Sequence, residues 1–184
     1  MPSSDNAEPQ PPAENWAGAY AAIDEAEELG ATEALVAKLQ NPVGQIREAC
    51  IAALGRLGGE QATSAVIAAL GDDDPWVRKA AATALPQVLP EEKAVTRLVQ
   101  LLHDDDDLVR ARAAQELGDL GHRHALLPLE TLLRSEPAGS QPQLAAAQAL
   151  EKLGAGEIAR HNPLASPLGL WVIGVALFAT GGGG

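Results

Sequence analysis

The chain has 184 residues, a formal net charge of −12 and few aromatic side chains: three Trp, one Tyr and one Phe. Scarce aromatic residues favour closely packed helices over a β-sandwich, which needs aromatic and β-branched residues. The acidic charge would repel nucleic-acid phosphates, so the composition excludes a nucleic-acid-binding protein. A single Cys excludes an internal disulfide framework, and the length fits one domain.

The N-terminal part of the chain divides into a polar segment and a helix. Residues 1–12 are polar and rich in Pro, and we expect disorder there because such a segment cannot bury enough apolar surface. Residues 13–30 predict an N-terminal capping helix. Its apolar residues recur at helical spacing: Trp16, Tyr20 and Ile23. No apolar signal-peptide core precedes Gln40, so we expect a cytoplasmic body.

A repeated pattern follows, with a spacing of about 31 to 33 residues. Three segments align with one another: "IREACIAALGRLG" at 46–58, "VRKAAATALPQVL" at 77–89 and "VRARAAQELGDLG" at 109–121. A fourth segment, "PQLAAAQALEKLG" at 142–154, lacks the aliphatic–Arg pair. Small residues in equivalent slots, mostly Ala, would let neighbouring helices approach closely.

A shorter helix is predicted before each of these segments. The apolar anchors of the shorter helices are Leu35/Leu39, Val66/Leu70, Leu98/Leu102 and Leu129/Leu133. One helical pair cannot cover its own apolar face, so residues 31–160 are predicted to be stacked pairs that share a core. A polar turn joins the two helices of a pair, and Asp74 followed by Pro75 is typical of a helix start.

The Leu–Gly endings and the "D-x-x-V-R" turns resemble HEAT repeats, in the short bacterial variety found in phycobilin lyases. The resemblance extends over roughly residues 31–154. It implies an all-α fold: a short right-handed α-solenoid of about four HEAT-like helical pairs. The residues after these pairs add a C-terminal apolar helix to the predicted fold. Arrays of this family mostly serve as binding surfaces, and the concave face built from the second helices is the expected partner surface.

An arginine begins three of the second helices, at Arg47, Arg78 and Arg110. The resemblance implies that each arginine meets a carboxylate in an adjacent turn and ties repeats together. Asp74 and Asp106 occupy the same slot in the turns before Arg78 and Arg110. Val43 occupies that slot before Arg47, which makes a carboxylate partner doubtful there. A basic stripe for an anionic ligand is the alternative.

Trp76 stands at the start of a second helix, where a smaller apolar residue would suffice. It is either an exposed anchor for a partner or a packing residue at the edge of a repeat. The candidate partner-binding residues are Trp76, Arg78 and Arg110.

The sequence predicts no catalytic residue, no cofactor and no metal site. The acidic turns 72–74 and 104–107 suggest calcium ligands, but they lack the central Gly of an EF-hand, and helix capping explains them better. His122 and His124 have no third ligand nearby, and the His–Glu pairs of HEAT-type iron hydroxylases are absent. Cys50 takes the slot of Ala in other repeats and is interpreted as a small core residue.

Residues 161–184 form an apolar tail without a charged side chain. As a helix, 162–180 would be about 28 Å long, near the thickness of a bilayer core. The tail therefore predicts a single membrane span, with Arg160 on the cytoplasmic side. The anchoring residues would be Leu168, Leu170, Trp171, Val172, Ile173, Val175, Leu177 and Phe178. The alternatives are a hydrophobic cap on the last repeat and a helix buried within a larger membrane complex.

Together these features predict a non-catalytic scaffold that binds protein partners. We expect an accessory or assembly subunit of a membrane complex, with a cytoplasmic body that the tail holds at the membrane. One alternative keeps the scaffold soluble, with the tail as its cap. The other, drawn from the resemblance alone, is a phycobilin-lyase-like protein that attaches a chromophore.

Overall fold

A computed structural model describes residues 14–155, and this part of the chain is all-α, without a strand. The helices are α1 (Glu14–Glu28), α2 (Thr32–Lys38), α3 (Gly44–Leu57), α4 (Gly59–Ala69), α5 (Pro75–Val88), α6 (Glu91–Leu101), α7 (Asp107–Leu120), α8 (Leu126–Ser135) and α9 (Gln141–Lys152). A 3-10 turn at Arg123–Ala125 precedes α8.

After α1, the helices follow one another as the four predicted pairs: α2–α3, α4–α5, α6–α7 and α8–α9. The shorter first helices end where the apolar anchors predicted. Leu39, Leu70 and Leu102 are the C-terminal capping residues of α2, α4 and α6. The prediction of repeated helical pairs is therefore confirmed, whereas the handedness of a solenoid stays a prediction.

The described residues fall into two compact units that divide between Val88 and Leu89, although the length fitted one domain. The first unit contains α1–α5 and the second contains α6–α9. Pro86 lies inside α5 and Pro90 caps the start of α6, so two residues without a backbone N–H flank the division. Each unit has its own apolar core, centred on residues such as Ile51 and Leu85 in the first and Leu117 and Leu129 in the second.

The second helices pack most closely where glycine meets alanine. In the first unit α3 lies against α5, and a Cβ at Gly55 would stand 2.7 Å from the Cβ of Ala84. In the second unit α7 lies against α9, and a Cβ at Gly118 would stand 2.7 Å from the Cα of Ala149. The expectation that small residues let neighbouring helices approach is confirmed at these two contacts.

Ion pairs on the surface join helices within each unit. In the first unit, Arg56 of α3 donates two hydrogen bonds of 2.5 Å to the Glu27 carboxylate of α1. In the second unit, Lys152 of α9 pairs with Asp119 of α7. These contacts tie α1 and α9 to the second helix beside them.

The expectations for 1–12 and for the tail at 161–184, with its anchoring residues from Leu168 to Phe178, lie outside the described residues. Among the helices of 14–155, none combines the length and the apolar character needed to cross a membrane.

Candidate functional site

The arginines that begin the second helices hold the turn before their own helix. The Nη1 atom of Arg47 donates to the carbonyls of Asn41 and Pro42, at 2.9 and 3.2 Å. Arg78 and Arg110 repeat this geometry with the two carbonyls five and six residues before them, at 2.8 to 3.2 Å. The guanidinium group therefore closes the turn in three successive repeats.

Arg47 also pairs with a carboxylate of the next repeat, and the doubt about its partner was wrong. Its Nε and Nη2 atoms donate to the two carboxylate oxygens of Asp72, at 2.9 and 2.7 Å. The identity of Val43 does not matter, because the partner lies 25 residues further on. Arg47 thus joins the turn before α3 to the turn before α5.

The Arg47–Asp72 pair is mostly shielded from solvent, with both side chains 16% exposed. Burial alone raises the pKa of Asp72. Hydrogen bonds from Arg47 and from the backbone N–H of Asp74, together with the charges of Arg47 and Arg78, outweigh burial and bring this pKa below its ordinary value. The hydrogen bond to Asp72 likewise raises the pKa of Arg47, so the pair stays ionised at neutral pH.

Arg110 is joined to Glu136, in the turn before α9, rather than to Asp106. Its Nε donates to the Glu136 carboxylate at 2.8 Å, and its Nη2 donates to both Glu136 and Asp107. With the two turn carbonyls, these contacts engage all five N–H groups of the guanidinium. Arg110 lines a cavity of about 320 Å³ beside Thr131, but it has no donor left for a ligand there.

The acidic turns cap helices. The Asp74 carboxylate accepts the backbone N–H of Trp76 at 2.9 Å, and Asp106 accepts that of Leu108 at 2.8 Å. Asp72 and Asp104 accept the N–H groups of Asp74 and Asp106 in the same way. The capping interpretation is confirmed, because these carboxylates satisfy N–H groups that a helix start leaves free.

His122 and His124 contact each other at the start of the 3-10 turn, and Cys50 lies in the core of the first unit. His122 accepts the backbone N–H of His124 through Nδ1 at 3.3 Å, and the two rings meet edge to face. Within residues 14–155, no group of three His, Cys, Asp or Glu side chains is placed to hold a metal ion. Cys50 is fully buried, and burial raises the pKa of its thiol to about 11, against a small opposing effect of the Lys38 charge. Cys50 is thus a core residue, as expected.

Trp76 lies on the surface of the first unit with 46% of its area exposed. Its backbone N–H donates to the carboxylate of Asp74, the residue before α5, so Trp76 lies in the first turn of the helix. The ammonium of Lys79, one turn further along α5, stands 4.3 Å from the centre of the indole ring. Trp76 is thus exposed, and its role as an anchor for a partner stays a prediction.

Glu48 of α3 completes the surroundings of Trp76. Burial raises the pKa of Glu48, the positive charge of Lys79 opposes this, and the negative charge of Asp74 adds to it. Asp74 itself lies over the start of α3, where its carboxylate occupies the space that a Cβ at Gly44 would need. Lys79 therefore lies over the exposed ring, and its charge also acts on Glu48, which the Asp74 charge influences as well. We refer to Glu48, Asp74, Trp76 and Lys79 as the Trp76 surface.

Sequence reasoning singled out Trp76 and missed its neighbours. The repeat alignment carried the signal, because the position two residues after the aliphatic residue holds Glu48, Lys79, Ala111 and Leu144. In the second unit the same position holds Leu144 of α9, which is apolar and 53% exposed. The roles predicted for Arg78 and Arg110 in partner binding stay predictions.

Paired helices that repeat along the chain, tied by arginines at equivalent positions, define a helical repeat protein. A family model described as HEAT repeats matches residues 13–86, 32–109 and 63–151, which together extend over more than half of the chain. The chain belongs to the HEAT-repeat family.

Among solved structures, an engineered protein known from a crystal structure is 22% identical, with a TM-score of 0.48, over 89% of this chain and 78% of that chain. No curated protein sequence matches the chain at a significant level.

Proposed function

We propose that this protein is a non-catalytic scaffold that binds a protein partner through the Trp76 surface. The observation that carries the proposal is the exposed indole at the start of α5. Trp is enriched among the residues that contribute most to binding energy, because its large ring buries much apolar area at little entropic cost. Membership of a family that commonly mediates protein–protein interaction supports the same function.

The proposal extends to the tail at 161–184. The scaffold is an accessory or assembly subunit of a membrane complex, with a cytoplasmic body and the tail as its anchor. The support is the sequence itself, since 162–180 has no charged side chain and is long enough as a helix to span a bilayer core.

Site-specific photocrosslinking in cells tests the binding surface. A crosslinker would replace Gln45 of α3 or Gln87 of α5, which are exposed residues of second helices. In matched controls it would replace Thr96 of α6 or Leu127 of α8, which are exposed residues of first helices. We expect a discrete protein adduct from the first two positions that disappears with Trp76→Ala. Equal adducts from all four positions, or adducts from the controls alone, contradict the proposed surface.

Fractionation tests the tail. The full chain would be compared with a version that ends at His161, which retains every charged side chain. If the tail is an anchor, the full chain needs detergent and the shorter chain is soluble and folded. If the full chain is soluble and truncation lowers its melting temperature, the tail is a cap on the last repeat and the membrane part of the proposal is wrong.

A further inference from the structure

The Trp76 ring already holds a cation in the unbound chain. The Lys79 ammonium lies 4.3 Å from the ring centre, within the distance at which the electron-rich face of an indole attracts a positive charge. This contact is local, because the two residues are neighbours on one helix turn. Almost half of the Trp76 area remains exposed beside it.

The charges around the ring favour a further cation. Asp74 lies close enough to Glu48 for its negative charge to raise the pKa of the Glu48 carboxyl. The positive charge of Lys79 lowers the pKa of the same group. Arg47, which precedes Glu48 in α3, is already paired with Asp72. The Trp76 surface therefore combines two carboxylates and an aromatic face with one lysine, in a chain whose net charge is −12. The neighbouring Arg78 binds the carbonyls of the turn before α5.

We propose that the Trp76 surface recognises an arginine or lysine side chain of a basic segment of a protein partner. The incoming cation takes the place of the Lys79 ammonium over the ring, while the carboxylates of Glu48 and Asp74 bind its charged end. Lys79 is thus an internal stand-in that the partner displaces. This inference rests on the proposed scaffold function and adds the chemistry of the partner.

Selection from a library of random displayed peptides tests the inference, with the full chain in a mild non-ionic detergent as the target. We expect the selected peptides to contain arginine or lysine. The tightest peptide would then be synthesised in two forms, one with its cationic residue and one with uncharged citrulline or glutamine in its place. The uncharged form should bind about tenfold more weakly or worse, since it loses both the ring contact and the ionic contact.

Substitutions in the chain give opposite expected changes. Trp76→Ala and Glu48→Gln should weaken binding of the cationic peptide, whereas Lys79→Gln should strengthen it about two- to fivefold by removing the competing ammonium. Lys93→Gln removes an exposed lysine of α6 and serves as the matched control. It should change the affinity for the cationic peptide only as far as the loss of one distant positive charge does. Circular dichroism would establish that each variant is folded.

The outcomes separate this inference from the scaffold proposal. Peptides that lack a cationic residue, equal binding of the two peptide forms, or weaker binding by Lys79→Gln would overturn the inference. If the inference fails but crosslinks from Gln45 and Gln87 to a partner still form, the scaffold function stands and only the cationic chemistry of the partner is wrong. Selection of no peptide at all, together with no crosslink, would overturn both.

Discussion

At the scale of single residues, identical slots in the repeats have different surroundings. Gly55, Pro86 and Gly118 align in the sequence. Gly55 and Gly118 allow a neighbouring helix to approach, whereas Pro86 lies near the end of the first unit. The role of a residue in this repeat therefore depends on the helix that packs against it.

Gly118→Ala should destabilise the second unit. The added Cβ would stand 2.7 Å from the backbone of α9, so α9 must shift away from α7. Overpacking of this kind costs about 1–3 kcal/mol, and the better helix propensity of Ala offsets up to about 1 kcal/mol of that. Urea unfolding followed by circular dichroism measures the change.

Gly18→Ala is the matched control for this substitution. Gly18 also lies inside a helix, but no atom lies within 4 Å of a Cβ built there. The free energy of unfolding should stay the same or rise by up to about 1 kcal/mol. Equal effects of the two substitutions would show that the α7–α9 contact does not limit the size of residue 118.

The Arg47–Asp72 pair should make stability depend on pH. Because the pKa of Asp72 is below its ordinary value of 3.8 in the folded chain, its contribution is present above about pH 4 and is lost as the pH falls through the folded pKa. Asp72→Asn should cost about 1–3 kcal/mol at neutral pH, and this difference from the unsubstituted chain should shrink below about pH 4.

Asp73→Asn is the control, because Asp73 is exposed and its side chain caps no N–H group. Denaturant unfolding at several pH values would compare the two variants. A cost of Asp72→Asn that is constant from neutral pH to pH 3 would contradict an ionic origin.

At the scale of helices, the aspartates in the turns determine where the second helices begin. Asp106 binds the N–H of Leu108 at the start of α7, and Asp74 does the same for Trp76 at the start of α5. Ser140 has this role at the start of α9, where it accepts the N–H of Gln143 at 3.3 Å. Each cap satisfies an N–H group that has no carbonyl partner within its helix.

Asp106→Ala should therefore cost more stability than Asp105→Ala. Both substitutions remove one negative charge from the same turn, but only Asp106 accepts the N–H of Leu108. Loss of a cap typically costs about 1 kcal/mol. The two variants would be compared by thermal unfolding at one ionic strength, and equal melting temperatures would exclude a capping role for Asp106.

At the scale of the whole molecule, the acidic excess governs solubility. The chain has a sequence isoelectric point of about 4.6. Repulsion between like-charged molecules disappears near this pH, and association becomes easier. The acidic charge also favours a basic partner, in agreement with the proposed occupant of the Trp76 surface.

The version that ends at His161 should be least soluble near pH 4.6, because the truncation removes no charged side chain. Light scattering across the range from pH 3 to pH 8 would locate the minimum. The full chain in detergent should have its minimum at the same pH. A minimum that moves with truncation would mean that the tail, rather than net charge, controls association.

The sequence by itself determined the helical pairs, their ends and the capping role of the turns. These features depend on local spacing and on neighbouring backbone groups, so the repeats beginning at Ile46 and Val77 could be aligned directly. The alignment also drew attention to Trp76, since an aromatic residue was unexpected at that position.

Only the tertiary structure decided which distant residues meet. The partner of Arg47 lies 25 residues further along the chain, and the contact at Gly118 depends on the path of α9. The electrostatic influence of Lys79 on Glu48 likewise depends on how α3 packs against α5. Such contacts join residues far apart in sequence, and local spacing does not encode them.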